Sequence, residues 1–214
     1  MNNEVKLIGH YGGDITHVQS AWQSTDRELT EDKVERIPAL LAMLARNGHH
    51  TPFEKSTLHF LVTCDQASHI HLLKHRIGVS INAESARYKE LKEDKMYLPV
   101  DWMKDYLTPK WCNILEEHAE KSNELYHKCL EELTPILGRK RAKESARFFK
   151  LMNSQITMDI MFNFRSFAHF CKLRNAKDAQ LEIQEIAESM LNEVLHIEGN
   201  PFKGTIKAFN LINS

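Results

Sequence analysis

Five stretches of this sequence gather side chains able to grip anions or move protons. Lys74-His75-Arg76 sets three basic groups in a row. They can hold a phosphate, although a helix C-terminus attracts cations without any ligand. Ser80-Ile81-Asn82-Ala83-Glu84-Ser85-Ala86-Arg87-Tyr88 follows, rich in short hydrogen-bonding side chains and closed by an arginine. Hydroxyls, backbone N–H groups and a guanidinium fork suit a nucleotide, and the same residues also make an ordinary polar turn. Upstream, Gly48-His49-His50-Thr51-Pro52-Phe53-Glu54 clusters two imidazoles, a hydroxyl and a carboxylate about an X-Pro turn. Downstream, Asn163, Arg165, Ser166, His169 and Arg174 supply polar groups along one segment, with Phe164, Phe167 and Phe170 or Cys171 giving it an apolar side. An arginine there can stabilise negative charge developing on a planar heterocycle. The basic run Arg139 to Arg147 reads mostly as a solvated face. Arg147 differs, because Ala146 and Phe148-Phe149 around it imply partial burial and an anionic partner.

Metal chemistry is not expected. His71 and His75 lie four apart, which on one helical face would suit zinc, yet no third ligand follows at a matching spacing. The cysteines, Cys64, Cys112, Cys129 and Cys171, form no CxxC pair and read as reduced buried thiols.

The elements that must position these groups are readable from periodicity. Val5–Ile8 is a short strand. Asp14 is placed to cap a helix carrying Ile15, Val18, Ala21 and Trp22 inward. A helix over 31–46 buries Val34, Ile37, Leu41, Leu44 and Ala45 and stops at Asn47-Gly48. Residues 56–64 alternate as a strand, and Asp65 caps a helix through Arg76. A long amphipathic helix runs over 111–133, ended by Pro135 and Gly138, with a further helix carrying Arg147 behind it. Residues 156–162 alternate as a second strand. Asn163 opens a helix to Arg174, and Asp178 caps a last one with Ile183, Ile186, Ala187, Met190, Leu191 and Val194 inward. The class is α+β: a helix-rich single domain over 1–214, with a small, mostly antiparallel sheet flanked by long helices.

Composition narrows the function. With 42% hydrophobic residues the chain can bury a core without disulfides, and its net charge of −1 gives no global field toward nucleic acid or membrane. No apolar run approaches a bilayer span of about 18 residues. The segment Met1 to Lys6 is polar, so a secretory leader is not expected, and the location read from this is cytoplasmic. No GxGxxG, GxxxxGK[ST], HExxH or GxSxG occurs. A bound nucleotide must therefore be held by side chains more than by a glycine loop.

In this order the motifs resemble the flavin-dependent thymidylate synthases. That family shows R-H-R, seven residues, then a serine followed by x-R-Y; here Lys74-His75-Arg76 precedes eight residues and Ser85-Ala86-Arg87-Tyr88. The family's H-x-T-P-F-E matches His49-His50-Thr51-Pro52-Phe53-Glu54. Its N-x-R-S helix ending L-R matches Asn163-Phe164-Arg165-Ser166 and Leu173-Arg174, and its A-Q-x-E-I matches Ala179-Gln180-Leu181-Glu182-Ile183.

The resemblance implies a homotetramer with shared active sites, using FAD, NADPH and methylenetetrahydrofolate to turn dUMP into dTMP. It implies that Ser24, His49, Thr51, Glu54, Lys74, His75, Arg76, Glu84, Asn163, Arg165 and His169 face the flavin. His71, Lys74, Glu84, Ser85, Ala86, Arg87, Arg147 and Arg174 would face dUMP, with Arg174 and Ser85 as the catalytic pair. Arg174 would polarise the uracil so that C5 attacks, and no cysteine occupies a motif position. Four departures mark a divergent branch. Lys74 replaces an arginine, and His71 stands where glutamine is common. The longer spacer leaves Ala83 and Glu84 competing for the acidic place. Ser20-Ala21-Trp22-Gln23-Ser24 only approximates the family's A-A-R-V-S. The other readings are a flavin- or nucleotide-binding homologue without turnover, and a helical nucleic-acid-binding protein using residues 139–147.

Overall fold

The computed structural model describes residues 2–104 and 109–212. Four strands, β1 (Glu4–Tyr11), β2 (Thr57–Asp65), β3 (Val79–Ala83) and β4 (Gln155–Asn163), form one antiparallel sheet in the order β1-β2-β4-β3. The helices among the described residues are α1 (Asp14–Ala21), α2 (Glu31–Arg46), α3 (Gln66–Leu72), α4 (Pro109–Leu137), α5 (Arg139–Ala146), α6 (Phe164–Arg174), α7 (Leu181–Leu195) and α8 (Lys203–Ala208). The fold is α+β and helix-rich, as expected.

Alternation explains the central strands. On β2, Leu58, Phe60, Val62 and Cys64 are fully buried, while His59, Leu61 and Thr63 are not. On β4 the same period buries Met158, Ile160 and Phe162. Helical period does the same for α7, where Ile183, Ile186, Ala187, Met190, Leu191 and Val194 all point inward.

The chain forms two compact units, one of Met1–Glu4, Val62–Leu73 and Asn82–Met158, the other of Val5–Leu61, Lys74–Ile81 and Asp159–Ser214. In the first unit, Tyr126 and Leu130 of α4 pack with Ala142 and Ala146 of α5, against Leu91, Cys129 and Leu133. The second unit has an aromatic interior of Phe53, Phe164, Phe167 and Phe202, with His17 buried among them.

Several boundaries differ from expectation. Asp14 does not cap α1; its carboxylate accepts from the Gly204 and Thr205 N–H groups (2.6 and 2.8 Å) and from Thr205 Oγ1 (2.6 Å). It caps α8, a helix too short to show by periodicity. Asp178 caps nothing, since α7 starts at Leu181 without a side-chain cap. Asp65 does cap α3 through the Ser68 N–H (2.8 Å), but that helix ends at Leu72, so Lys74-His75-Arg76 follows it in irregular chain. His71 and His75 therefore share no helical turn. Residues read as a loop at 80–83 belong to β3. Pro135 lies inside α4, near enough to its end that the one lost hydrogen bond is tolerated, and Gly138 at φ +77° stops the helix. Ile15, Val34 and Trp111 face out at 43%, 47% and 52% exposure; on α4 the inward position is Cys112, one residue along.

Removing the Asp14 carboxylate leaves the first N–H groups of α8 without their acceptor. Asp14→Ala is expected to cost about 1–3 kcal/mol. Urea unfolding measures it; an unchanged midpoint would show that the cap contributes nothing.

Candidate functional site

In the second unit a cavity of about 670 Å³ opens among Lys74, His75, Arg76, Ile77, Val79, Arg165, Ser166, His169, Lys172, His50 and Phe209. Two segments and a pair of rings build it. The first segment is the stretch leaving α3. It turns at Gly78, φ +65°, where a Cβ would lie 2.2 Å from Asn163 Nδ2 and 2.5 Å from Ser166 Oγ. Only glycine lets the chain pass so close to the start of α6. The second is α6 itself. Asn163 is its N-cap, accepting from the Ser166 N–H at 2.9 Å, while Ser166 Oγ donates to the Ile77 carbonyl at 2.6 Å. These bonds tie the basic segment to the helix carrying Arg165, His169 and Arg174. The rings are those of His50, ahead of the 3₁₀ turn Thr51–Lys55, and Phe209, just beyond α8.

The electrostatics of this cavity favour an anion. Lys74, Arg76, Arg165 and Lys172 line it, and Glu54, a carboxylate, is paired with Arg165. Lys172 Nζ stands 5.3 Å from the centre of the Phe209 ring, and His50 lies 5.4 Å from the same ring. Apolar Ile77 and Val79 complete the wall. The volume is within the usual range for small-molecule sites, about 300–1,000 Å³. Cations beside aromatic rings suit a ligand that joins a planar heterocycle to phosphates. A flavin dinucleotide fits that donor set.

Arg174, at the last position of α6, donates from Nε to His75 Nε2 at 3.0 Å. His75 also stands edge-on to buried Phe170, with ring centroids 4.9 Å apart. The structure thus brings together Lys74, His75, Arg76, Asn163, Arg165, His169 and Arg174, with Glu54 alongside. Four other expected flavin-side residues do not line the cavity: Ser24, in the 3₁₀ turn Trp22–Ser24, His49 and Thr51 are exposed, and Glu84 belongs to the first unit. His50 takes the place at the cavity that His49 was expected to hold.

In the first unit, Glu84 to Tyr88 form a turn closed by the Tyr88 and Lys89 N–H groups donating to the Ser85 carbonyl (2.9 and 3.0 Å). Glu84 anchors it. One carboxylate oxygen accepts from Lys89 at 2.6 Å and the other from the Thr157 N–H at 2.9 Å. Burial alone would raise its pKa, but the bonds from Lys89 and Thr157 hold it below the usual range for glutamate. Ser85 Oγ accepts from the Arg87 N–H at 3.4 Å, and the Arg87 guanidinium rests 3.4 Å from Glu144 and 5.3 Å from the Tyr88 ring. A second cavity, about 350 Å³, lies under the following segment, lined by Glu84, Lys89, Arg139, Lys143 and Lys150 among others. Arg147 is not half-buried: it begins an exposed 3₁₀ turn whose Phe148 is 79% exposed, so no aromatic wall forms around it. His71 lies on α3 with its Nδ1 buried and unpartnered.

Lys172 and Phe209 were missed in the sequence. Lys172 reads there as an ordinary cation near a helix end, and Phe209 follows a helix invisible to periodicity. Among the described residues no group of three His, Cys, Asp or Glu side chains is placed to hold a metal.

Comparison with known proteins places these residues in context. Residues 6–197 match the family model described as thymidylate synthase complementing protein. The chain is 34% identical over 183 residues to a flavin-dependent thymidylate synthase of Pseudothermotoga lettingae, covering 86% of this chain and 80% of that protein. It is 31% identical over 199 residues to the same enzyme of Kosmotoga olearia, covering 86% and 81%. Among solved structures it is similar to a UMP/dUMP methylase, PolB, from Streptomyces cacaoi bound with 5-Br dUMP. The TM-score is 0.79 at 24% identity, covering 98% of this chain and 95% of that one, which establishes a common fold.

Proposed function

The chain belongs to the thymidylate synthase complementing protein family, and from that premise we propose that it is a flavin-dependent thymidylate synthase methylating the uracil ring of dUMP. The observation that carries this reading is the Arg174–His75 contact, made beside a cationic, partly aromatic cavity. The relatives named above act as such synthases, and the Streptomyces neighbour holds a brominated analogue of dUMP; both facts support the substrate class.

The overall reaction consumes dUMP, methylenetetrahydrofolate, NADPH and a proton, and yields dTMP, tetrahydrofolate and NADP⁺. Bound FAD would take reducing equivalents from NADPH and supply the hydride. The chain's own residues have four tasks. Lys74, His75, Arg76, Asn163, Arg165 and His169, with Glu54 orienting Arg165, hold the flavin and neutralise its diphosphate; Ser24, His49 and Thr51 are assigned to the same ligand. The turn Glu84-Ser85-Ala86-Arg87 holds dUMP by short polar contacts, with Arg147, His71 and Lys74 as further contacts. Arg174 stabilises negative charge on N3 or O4 of the uracil, which makes C5 a better nucleophile. Ser85 is assigned to the catalytic step. No thiol needs to attack C6. Cys171, although on α6, is buried, and burial pushes its thiol far above the range where a thiolate forms at neutral pH. The working assembly is a cytoplasmic homotetramer with active sites shared between subunits, each chain one catalytic domain.

Purified protein is expected to be yellow with bound flavin and to form dTMP from dUMP, methylenetetrahydrofolate and NADPH. Flavin absorbance without dTMP would make it a binding protein. A colourless protein binding nucleic acid with steep salt dependence would overturn the proposal altogether.

A further inference from the structure

The geometry points to His75 as the positioning residue of Arg174: the neutral imidazole latches the guanidinium by its Nε, and a proton on His75 releases the latch. Phe170 and Arg174 are four residues apart on α6 and so lie on one face of that helix. The His75 ring sits against this face. It meets the fully buried Phe170 edge-on, at 4.9 Å and 82°, and His169 at 6.4 Å. From that seat its Nε2 is 3.0 Å from Arg174 Nε.

Arginine only donates, so Nε2 must present a lone pair and the ring proton must sit on Nδ1. Protonated imidazole has donors on both nitrogens, and the contact would then face donor to donor. With Nε engaged, Nη1 and Nη2 are left to meet two acceptors on the edge of a heterocycle. Aim is therefore set by His75, and charge by Arg174.

Among the described residues, the ionisable groups lining the cavity beside this contact, His75 aside, are cations and imidazoles: Lys74 and Arg76 on the segment of His75, Arg165, His169 and Lys172 on α6, and His50 ahead of β2. Glu54, also ahead of β2, is committed to Arg165. Protonating His75 adds a further positive charge to that set while removing the acceptor. Arg174 is freed when His75 takes up a proton. The inference rests on the proposed engagement of the pyrimidine by Arg174.

Two variants separate aim from structure. His75→Gln keeps an oxygen acceptor near the Nε2 position but does not titrate; His75→Ala keeps neither. The Arg174 Nε–H signal, assigned by its loss in Arg174→Lys, is followed by nitrogen-15 NMR for exchange with water, on full-length protein without added flavin. Exchange is read as protection, relative to the base-catalysed rate of a free guanidinium at the same pH; wild type is expected to be protected at neutral pH and about tenfold less protected in acid. The Gln variant should stay protected and the Ala variant unprotected at both. In the flavin-loaded enzyme, kcat should fall about a hundredfold in His75→Ala with little change in the KM for dUMP. In the same flavin-loaded enzyme His75→Gln should lose the acid limb of the pH profile that wild type shows. Exchange indifferent to His75→Ala, or a wild-type acid limb in His75→Gln, overturns the latch. If exchange behaves as expected and wild type makes no dTMP, the latch stands and the assignment as a synthase fails.

Discussion

Arg174→Ala is expected to keep bound flavin and to lose dTMP formation by about 10²–10³-fold, the usual cost of deleting one donor aimed at developing charge. The cations on the cavity wall are Lys74, Arg76, Arg165 and Lys172, and the substitution leaves all four in place. What disappears is the guanidinium held 3.0 Å from His75. Arg174→Lys should recover only part of the loss. Its ammonium keeps the charge but has neither the flat fork nor the Nε donor. The measurement is a single turnover on enzyme with its flavin content determined by absorbance. Alanine variants turning over within a few fold of wild type would remove Arg174 from the chemical step.

Acid is expected to unfold the second unit through His17. This ring is fully buried, with Nδ1 2.9 Å from Thr205 Oγ1, Nε2 2.7 Å from Ser56 Oγ, and Phe53 and Phe164 around it. Burial lowers its pKa from 6.5 to about 4. The unfolded chain therefore takes up a proton near pH 6.5, whereas the folded chain resists until near pH 4. Stability is fully present above the unfolded value and is lost as pH falls through that window. At 1.36 kcal/mol per pH unit the loss comes to about 3 kcal/mol. Burial lowers His69 of the first unit as well, so acid weakens that unit in the same direction. Urea midpoints measured down the pH scale should fall in wild type and fall less steeply in His17→Gln, whose side chain does not titrate. Parallel slopes for the two proteins would place the acid sensitivity elsewhere.

Much of this architecture was legible because it depends on local period. β2, β4 and α7 bury the side chains that alternation or helical spacing selects, and Asp65 and Asn163 cap as their positions suggest. What escaped depends on distant residues. β3, Val79–Ala83, is only five residues long, too short for its alternation to stand out, and is a strand because β4 lies beside it. α8 has six residues and starts at a cap supplied by Asp14. In the site, the order of the motifs was readable. Which of two adjacent histidines meets the cavity was not, because that depends on how the 3₁₀ turn after His50 sets the chain. Phe209 stands outside the residues matched by the family model, 6–197, so no motif could have signalled it.

The bonds from Asp14 to α8, and from His17 to Thr205, also bear on the order of events during synthesis. Their partners are separated by 188 to 191 residues. While the ribosome is still making the middle of the chain, α1 has emerged with an unpaired carboxylate and a half-satisfied imidazole. The wall that Phe209 adds to the larger cavity does not exist until that late segment is out. Folding from the N-terminal end as the chain grows can therefore complete α4 and α5, which close on each other locally, before it can complete the larger cavity. A nascent chain stalled before residue 202 would carry every family motif and still lack the finished cavity.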